Sequence, residues 1–302
     1  MPDTSRAESL FNEANKTLHG GFFSFLSSSN RFEDAAELFT KSGNLFKSES
    51  DFYGAIRAFE GAYNAHLKTK NNYYASISAA EVGAQYSRLD DAENTEKWYL
   101  IATNLISDQR LNQAAKYLKI LAEFYENLKN LEKSFFYFKK SENLFSIEKN
   151  DSSDARNCQI KMAILGAEMS NFSESRDLFL KVAKNCLQNN LLQFSARDYF
   201  LRAIFVDLAA GNLNFAKNDQ VFAMKNDPRF ANSREAKFIE KLIEATEKMD
   251  VKQFQQEIFE FDQIQNLDFW KIKMLNLAKE KIEKMEDMAI LGEKEENDED
   301  IL

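Results

Sequence analysis

The sequence predicts an all-α protein, on three observations. Proline occurs only at Pro2 and Pro228. Valine is confined to Val82, Val182, Val206, Val221 and Val251, while Ala, Leu, Lys, Glu and Asn are abundant. Small residues also recur along the chain at a nearly fixed interval. Few β-branched residues and no internal proline before Pro228 favour helix over sheet. With 302 residues, 44% apolar and 29% charged, the chain suffices for two domains or one long solenoid.

The first expected helix covers residues 1–19, with Ala7, Leu10, Phe11, Ala14 and Leu18 on one face. Gly20 and Gly21 would close it. The apolar cluster Phe22-Phe23-Ser24-Phe25-Leu26 follows, then a Ser-rich run. It fits either a loop folded back over the first helices or an exposed patch for a membrane or partner. From Phe32 the interval appears. Ala35, Ala75, Ala114, Ala155 and Ala196 fall about 40 residues apart, as do Ala55, Thr95, Ser134, Ser175 and Ala216. Each unit reads as two helices of about 15–18 residues joined by a polar turn. Such turns are expected at 47–51, 88–92, 129–130, 170–171 and 211–212. Phe39, Phe59, Tyr117, Phe138, Phe179 and Tyr199 lie one turn beyond the small residues and read as core. The expected architecture is a tetratricopeptide-like, right-handed twisted array of helical hairpins.

Residues 191–203 read as the last full outgoing helix of that array, with Leu192, Ala196, Tyr199 and Ala203 at helical spacing. At Pro228 the period breaks, because proline drives the preceding residue out of helix. Helices are then expected at 232–248, 251–262 and 267–285, with Ser233 and Asp250 as N-caps. They would form a small C-terminal helical bundle. The expected division is residues 1–31 (first helix and apolar loop), 32–227 (array), 228–288 (bundle) and 289–302 (acidic tail).

The net charge of −9 is uneven. Eight acids and one base lie between residues 286 and 302, so that segment holds −7 of it and the remainder is nearly neutral. That balance does not favour nucleic acid. The two cysteines, Cys158 and Cys186, form no close pair, and no secretory leader is recognisable; a reducing cytosol is the expectation. Phosphate-loop, dinucleotide, nucleophile-elbow and zinc-helix motifs are missing. His19 and His66 stand far apart, and Asp90-Asp91 lacks the spacing and glycine of a calcium loop. The expectation is a binding protein with no catalytic residues, metal or cofactor.

Equivalent positions in stacked repeats become neighbours. Lys116, Arg156 and Arg197 fall one or two residues after the alanines of the first series. Arg110 precedes the third unit and Lys161 lies further along the fourth. These bases fit either a row for an acidic, elongated partner or an ordinary solvated face.

The strings QFSARDYFLRA (193–203), FANSREAKFIEKLIEATE (230–247) and FDQIQNLDFWKIKML (261–275) closely resemble the alpha-SNAP (soluble NSF attachment protein) family. So do RLNQAAK (110–116), Phe22-Phe23-Ser24 and the ending DEDIL. The match runs nearly end to end. The resemblance implies a non-enzymatic adaptor of vesicle-mediated transport. Such an adaptor binds the four-helix SNARE bundle after membrane fusion, several copies per bundle, and recruits and stimulates the hexameric ATPase NSF. A tetratricopeptide-like scaffold for another helical partner, such as a gamma-type adaptor of the family, is the alternative. The resemblance implies SNARE contacts at Arg110 and Lys116, at Arg197 where the family has lysine, and at Phe194 in place of tyrosine. Asn157 stands where a lysine is expected, with Arg156 and Lys161 nearby to compensate. It implies an ATPase-facing side with Glu244 and Glu247, helped by Glu240, although Lys248 and Gly211 replace acids. Ile301 stands where a stimulating leucine is expected, followed by Leu302. Phe22, Phe23 and Leu26, with Phe25 replacing glycine, correspond to the family's membrane contact. The implied location is cytoplasmic and peripheral to membranes.

Overall fold

The computed structural model describes residues 4–19, 28–148 and 152–299. Among them all regular structure is helical. The chain divides into two compact units, Met1–Cys158 and Gln159–Leu302.

In the first unit lie α1 (Thr4–Leu18), α2 (Ser28–Ser48), α3 (Phe52–Lys68), α4 (Asn72–Arg88), α5 (Ala92–Asn104), α6 (Leu111–Asn127) and α7 (Leu131–Glu148). Each packs against the next in sequence. The α8 helix (Ser153–Glu168) runs from the end of the first unit into the second. Both small-residue series are fully buried, from Ala35 and Ala55 to Ala196 and Ala216. Small side chains there let neighbouring helices approach while the aromatics one turn on fill the space. Phe39, Phe59, Phe138 and Phe179 are at most 2% exposed. The fit of α2 to α3 is reciprocal. A Cβ on Gly61 would lie 2.8 Å from the Phe39 ring, and one on Gly43 would lie 2.8 Å from Phe59.

Seven of the helix connections among the described residues share one construction. Ser50, Lys70, Asp90, Lys129, Ser170 and Met249 have positive φ, as does Gly211. Each is followed by Asp or Asn. That second residue donates its amide back into the finished helix: Asp51 to Phe46 (2.9 Å), Asn130 to Tyr125 (3.0 Å), Asn171 to Gly166 (2.8 Å). It then opens the next helix. The Asp51 side chain accepts from the Gly54 amide at 2.8 Å, and Asp250 accepts from Gln253 at 2.9 Å. At Asp51, Asn71, Asp91, Asn130 and Asp250 one residue pair thus satisfies orphan carbonyls behind it and orphan amides ahead of it, whereas the Asn171 and Asn212 side chains make no capping hydrogen bond.

The second unit continues with α9 (Phe172–Leu187), α10 (Ala196–Ala210), α11 (Leu213–Asn226), α12 (Pro228–Ala231), α13 (Arg234–Glu247), α14 (Val251–Ile264) and α15 (Phe269–Glu299). One apolar core joins residues from Ala163 to Ile282. Its centre is α10, where Phe200, Leu201 and every residue from Ala203 to Ala209 are buried. It packs against α9, α11, α13 and α15. Trp270 of α15 meets Phe179 edge-on at 5.3 Å and donates to the Ile164 carbonyl at 3.4 Å. The segment after Pro228 therefore shares its core with α9 and α10.

Three expectations change. Residues 191–195 are not helical in the α sense. The Leu191 amide donates to Asn189 Oδ1 at 2.9 Å, a 3-10 turn covers Gln193–Ser195, and the α-helix starts at Ala196. Asn189 captures the backbone in a local turn, which competes with helix. Pro228 starts a short helix of its own, with Asp227 extended before it and accepting from the Arg229 amide at 3.2 Å. Finally, α15 does not stop at Met285 but continues to Glu299. The Glu content of the stretch beyond Met285 is helix-favouring. Ser233 and Asp250 do cap α13 and α14.

Candidate functional site

The bases of interest fall in both units. In the first, Arg110 occupies the N-cap position of α6 and is exposed. Its guanidinium lies 4.1 Å from the Tyr73 ring centroid. Asp108 and Glu148 line the same shallow cleft of about 550 Å³. Lys116 is exposed on α6, whereas Lys119, almost one turn further, is paired with Asp154 at 3.2 Å. Arg156 is half-buried on α8, and Asn157 beside it is exposed.

In the second unit Lys161 is half-buried on α8. Phe194 and Arg197 come together in one cleft of about 300 Å³ with Asp198, Leu201, Glu235 and Gln265. Phe194 is 66% exposed because it stands on the 3-10 turn ahead of α10, and the Arg229 guanidinium lies 4.9 Å from its ring. Arg197 is not a free cation. Its Nη1 lies 3.4 Å from the Glu235 carboxylate. Sequence spacing gave no hint of this pair, which joins α10 to α13. Asp198 is held by Arg202 at 2.8 Å and by Lys271. Arg202 also reaches Asp268 at 2.5 Å. The Asp198–Arg202 spacing of four and the Asp268–Lys271 spacing of three were the visible signals for this network. Burial pushes the Asp198 carboxyl up, but the Arg202 and Lys271 charges overcome it and hold it below its usual range.

Glu240, Glu244 and Glu247 are exposed on α13, and their spacings of four and three set them along one face. Lys248 pairs with Glu244 at 2.6 Å and holds its carboxyl below the usual range. Lys217 of α11 contacts Glu247. The face is thus less negative than its acids alone suggest. Gly211 ends α10 in the left-handed region (φ 78°). Phe22, Phe23, Phe25, Leu26, Ile301 and Leu302 lie outside the described residues.

A further polar cluster in the first unit was not legible in the sequence. Tyr125 and Tyr137 donate their hydroxyls to Glu96, and Lys133 Nζ lies 2.6 Å from it. Burial raises the Glu96 carboxyl, but those three donors together hold it below its usual range. The cluster links α5, α6 and α7 and fixes their register. No grouping of His, Cys, Asp and Glu among the described residues is arranged to hold a metal ion. No helix among them is long and apolar enough to cross a membrane.

Fold and surface together define an all-helical hairpin-repeat protein whose distinctive side chains are surface charges and exposed aromatics. The chain belongs to the family described as "Soluble NSF attachment protein, SNAP", whose model matches residues 5–283. It is similar to the beta-soluble NSF attachment protein of Bos taurus, 29% identical over 274 residues, covering 89% of this chain and 90% of that one. The alpha-soluble NSF attachment protein of Homo sapiens is 29% identical over 288 residues, 92% of this chain and 95% of that one. The vesicular-fusion protein SEC17 of Komagataella phaffii is 29% identical over 295 residues, 94% and 98% respectively.

Proposed function

We propose that this protein is an adaptor in vesicle fusion that grips assembled SNARE bundles and brings the NSF ATPase to them. The observation that carries the reading is the family match over residues 5–283. The names of the relatives, which refer to NSF attachment and vesicular fusion, point the same way. Arg110, Lys116, Arg156, Lys161, Phe194 and Arg197 form the SNARE grip. Bases suit this task because complementary charge along an elongated partner sets orientation and on-rate. The α13 face with Glu240, Glu244 and Glu247 meets the ATPase, and Ile301 and Leu302 stimulate it. Phe22, Phe23, Phe25 and Leu26 touch the membrane, so the protein works at the cytoplasmic membrane surface. The array at 32–227 holds the cargo, and the segment after Pro228 meets the motor. No step requires the adaptor to make or break a covalent bond.

Reconstituted disassembly tests this. An assembled SNARE bundle, NSF and ATP should yield separated SNAREs only when this protein is added. A chain carrying Lys116→Glu and Arg197→Glu should lose most of that activity at moderate salt. Disassembly at the same rate without the protein, or undiminished in the double variant, would refute the adaptor role or the grip respectively.

A further inference from the structure

The cleft that joins Phe194 to Arg197 contains its own acid. Arg197 lies in the first turn of α10 and Glu235 in the first turn of α13. Nη1 of Arg197 is 3.5 and 3.4 Å from the two Glu235 oxygens, long for a charge-assisted hydrogen bond. The Glu235 side chain is only 9% exposed and that of Arg197 31%. Nε of Arg197 is shielded from solvent and has no acceptor. The cleft's other carboxylate, Asp198, is committed to Arg202 and Lys271. One arginine with an unused donor therefore faces one loosely held resident acid in a cavity of about 300 Å³, walled by Phe194 and Leu201.

We infer that Glu235 is an internal competitor for Arg197. The cleft takes a single carboxylate side chain from the acidic helical partner, and binding transfers Arg197 from Glu235 to the incoming acid. This rests on the SNARE-adaptor reading and names the regulation of that grip. The incoming carboxylate meets a guanidinium already partly neutralised, with a like charge close by. Such juxtaposition lowers affinity. The resident pair is long, so little hydrogen bonding is lost when Arg197 swings away. Glu235 is not stranded afterwards, because the amides opening α13 favour negative charge at that end. The outcome is a grip whose strength is deliberately limited, which suits an adaptor that must let go.

The test is equilibrium binding of the full chain to an assembled SNARE bundle at low and moderate salt. Glu235→Gln keeps the side-chain shape and removes the competing charge. It should bind about tenfold more tightly at low salt, the gain shrinking as salt screens it. In the double variant Glu235→Gln with Arg197→Gln the gain should vanish, leaving the affinity of Arg197→Gln alone. Glu235→Asp keeps the charge but shortens its reach, and should give a smaller gain. It also serves if thermal melting shows that Glu235→Gln is unfolded. A parent chain that binds while neither Glu235 variant binds more tightly would overturn the inference. A parent chain that fails to bind the bundle would instead overturn the adaptor reading on which it rests.

Discussion

Asp207 lies in the core of the second unit at 2% exposure. Arg176 reaches it at 3.3 Å and grips Asp219 at 2.6 Å. Two buried acids thus share one arginine. Burial, and then the Asp219 charge, push the Asp207 carboxyl well above the usual carboxylate range. The sign for stability follows from proton binding. Above the ordinary carboxylate range the unfolded chain has lost this proton while the native chain still holds it. Stability therefore falls as pH rises from about 4 toward the raised value. Asp207→Asn removes that dependence. Its unfolding free energy relative to the parent should rise by at least about 1 kcal/mol between pH 5 and pH 8 in denaturant titrations. A constant difference would exclude a raised Asp207. Gly61 supplies a steric counterpart. Gly61→Ala must displace the buried Phe39 ring and should cost about 1–3 kcal/mol in the same measurement.

At the scale of the element, the connections carry the main lesson. Asp or Asn at residues 51, 71, 91, 130, 171, 212 and 250 opens the following helix. Most of these turns were legible, because a polar cap before an apolar run has a chemical reason that acts locally. The left-handed conformation of the residue before each cap was not legible. Only Gly211 declares it; Lys129 and Asp90 adopt it under constraint from the packed helices on either side. A left-handed non-glycine residue is strained. Lys129→Gly should therefore raise unfolding free energy by about 0.5–1 kcal/mol, the larger loss of chain entropy offsetting part of the gain. Thermal melting that shows destabilisation would mean the Lys129 side chain contributes more than its backbone costs. The misplaced start of α10 has the same origin. Leu192 and Tyr199 kept helical spacing, but the Asn189 side chain bonded to the Leu191 amide and held residues 191–195 out of the α-helix.

For the molecule as a whole, the proposed attachment to membranes should matter only when the cargo is membrane-bound. Full burial of one large apolar side chain is worth about 1.5–3 kcal/mol. Under the proposed function, two such side chains, Phe22 and Phe23, would give reversible contact that needs a second anchor. Phe22→Ser with Phe23→Ser should leave disassembly of soluble SNARE bundles unchanged and slow disassembly on liposomes several-fold. Equal loss in both assays would assign the two rings to folding. By itself the sequence determined the helical class, the repeat interval, the buried small residues, the caps at Ser233 and Asp250, and the family. Each depends on neighbours within about one or two turns, or on strings long enough to match. Only tertiary structure decided that α10 lies at the centre of a core shared with α13 and α15. It alone paired Arg197 with Glu235 and brought Asp207, Arg176 and Asp219 together. Those contacts join residues dozens of positions apart, and no local period encodes which charge on one helix will meet which on another.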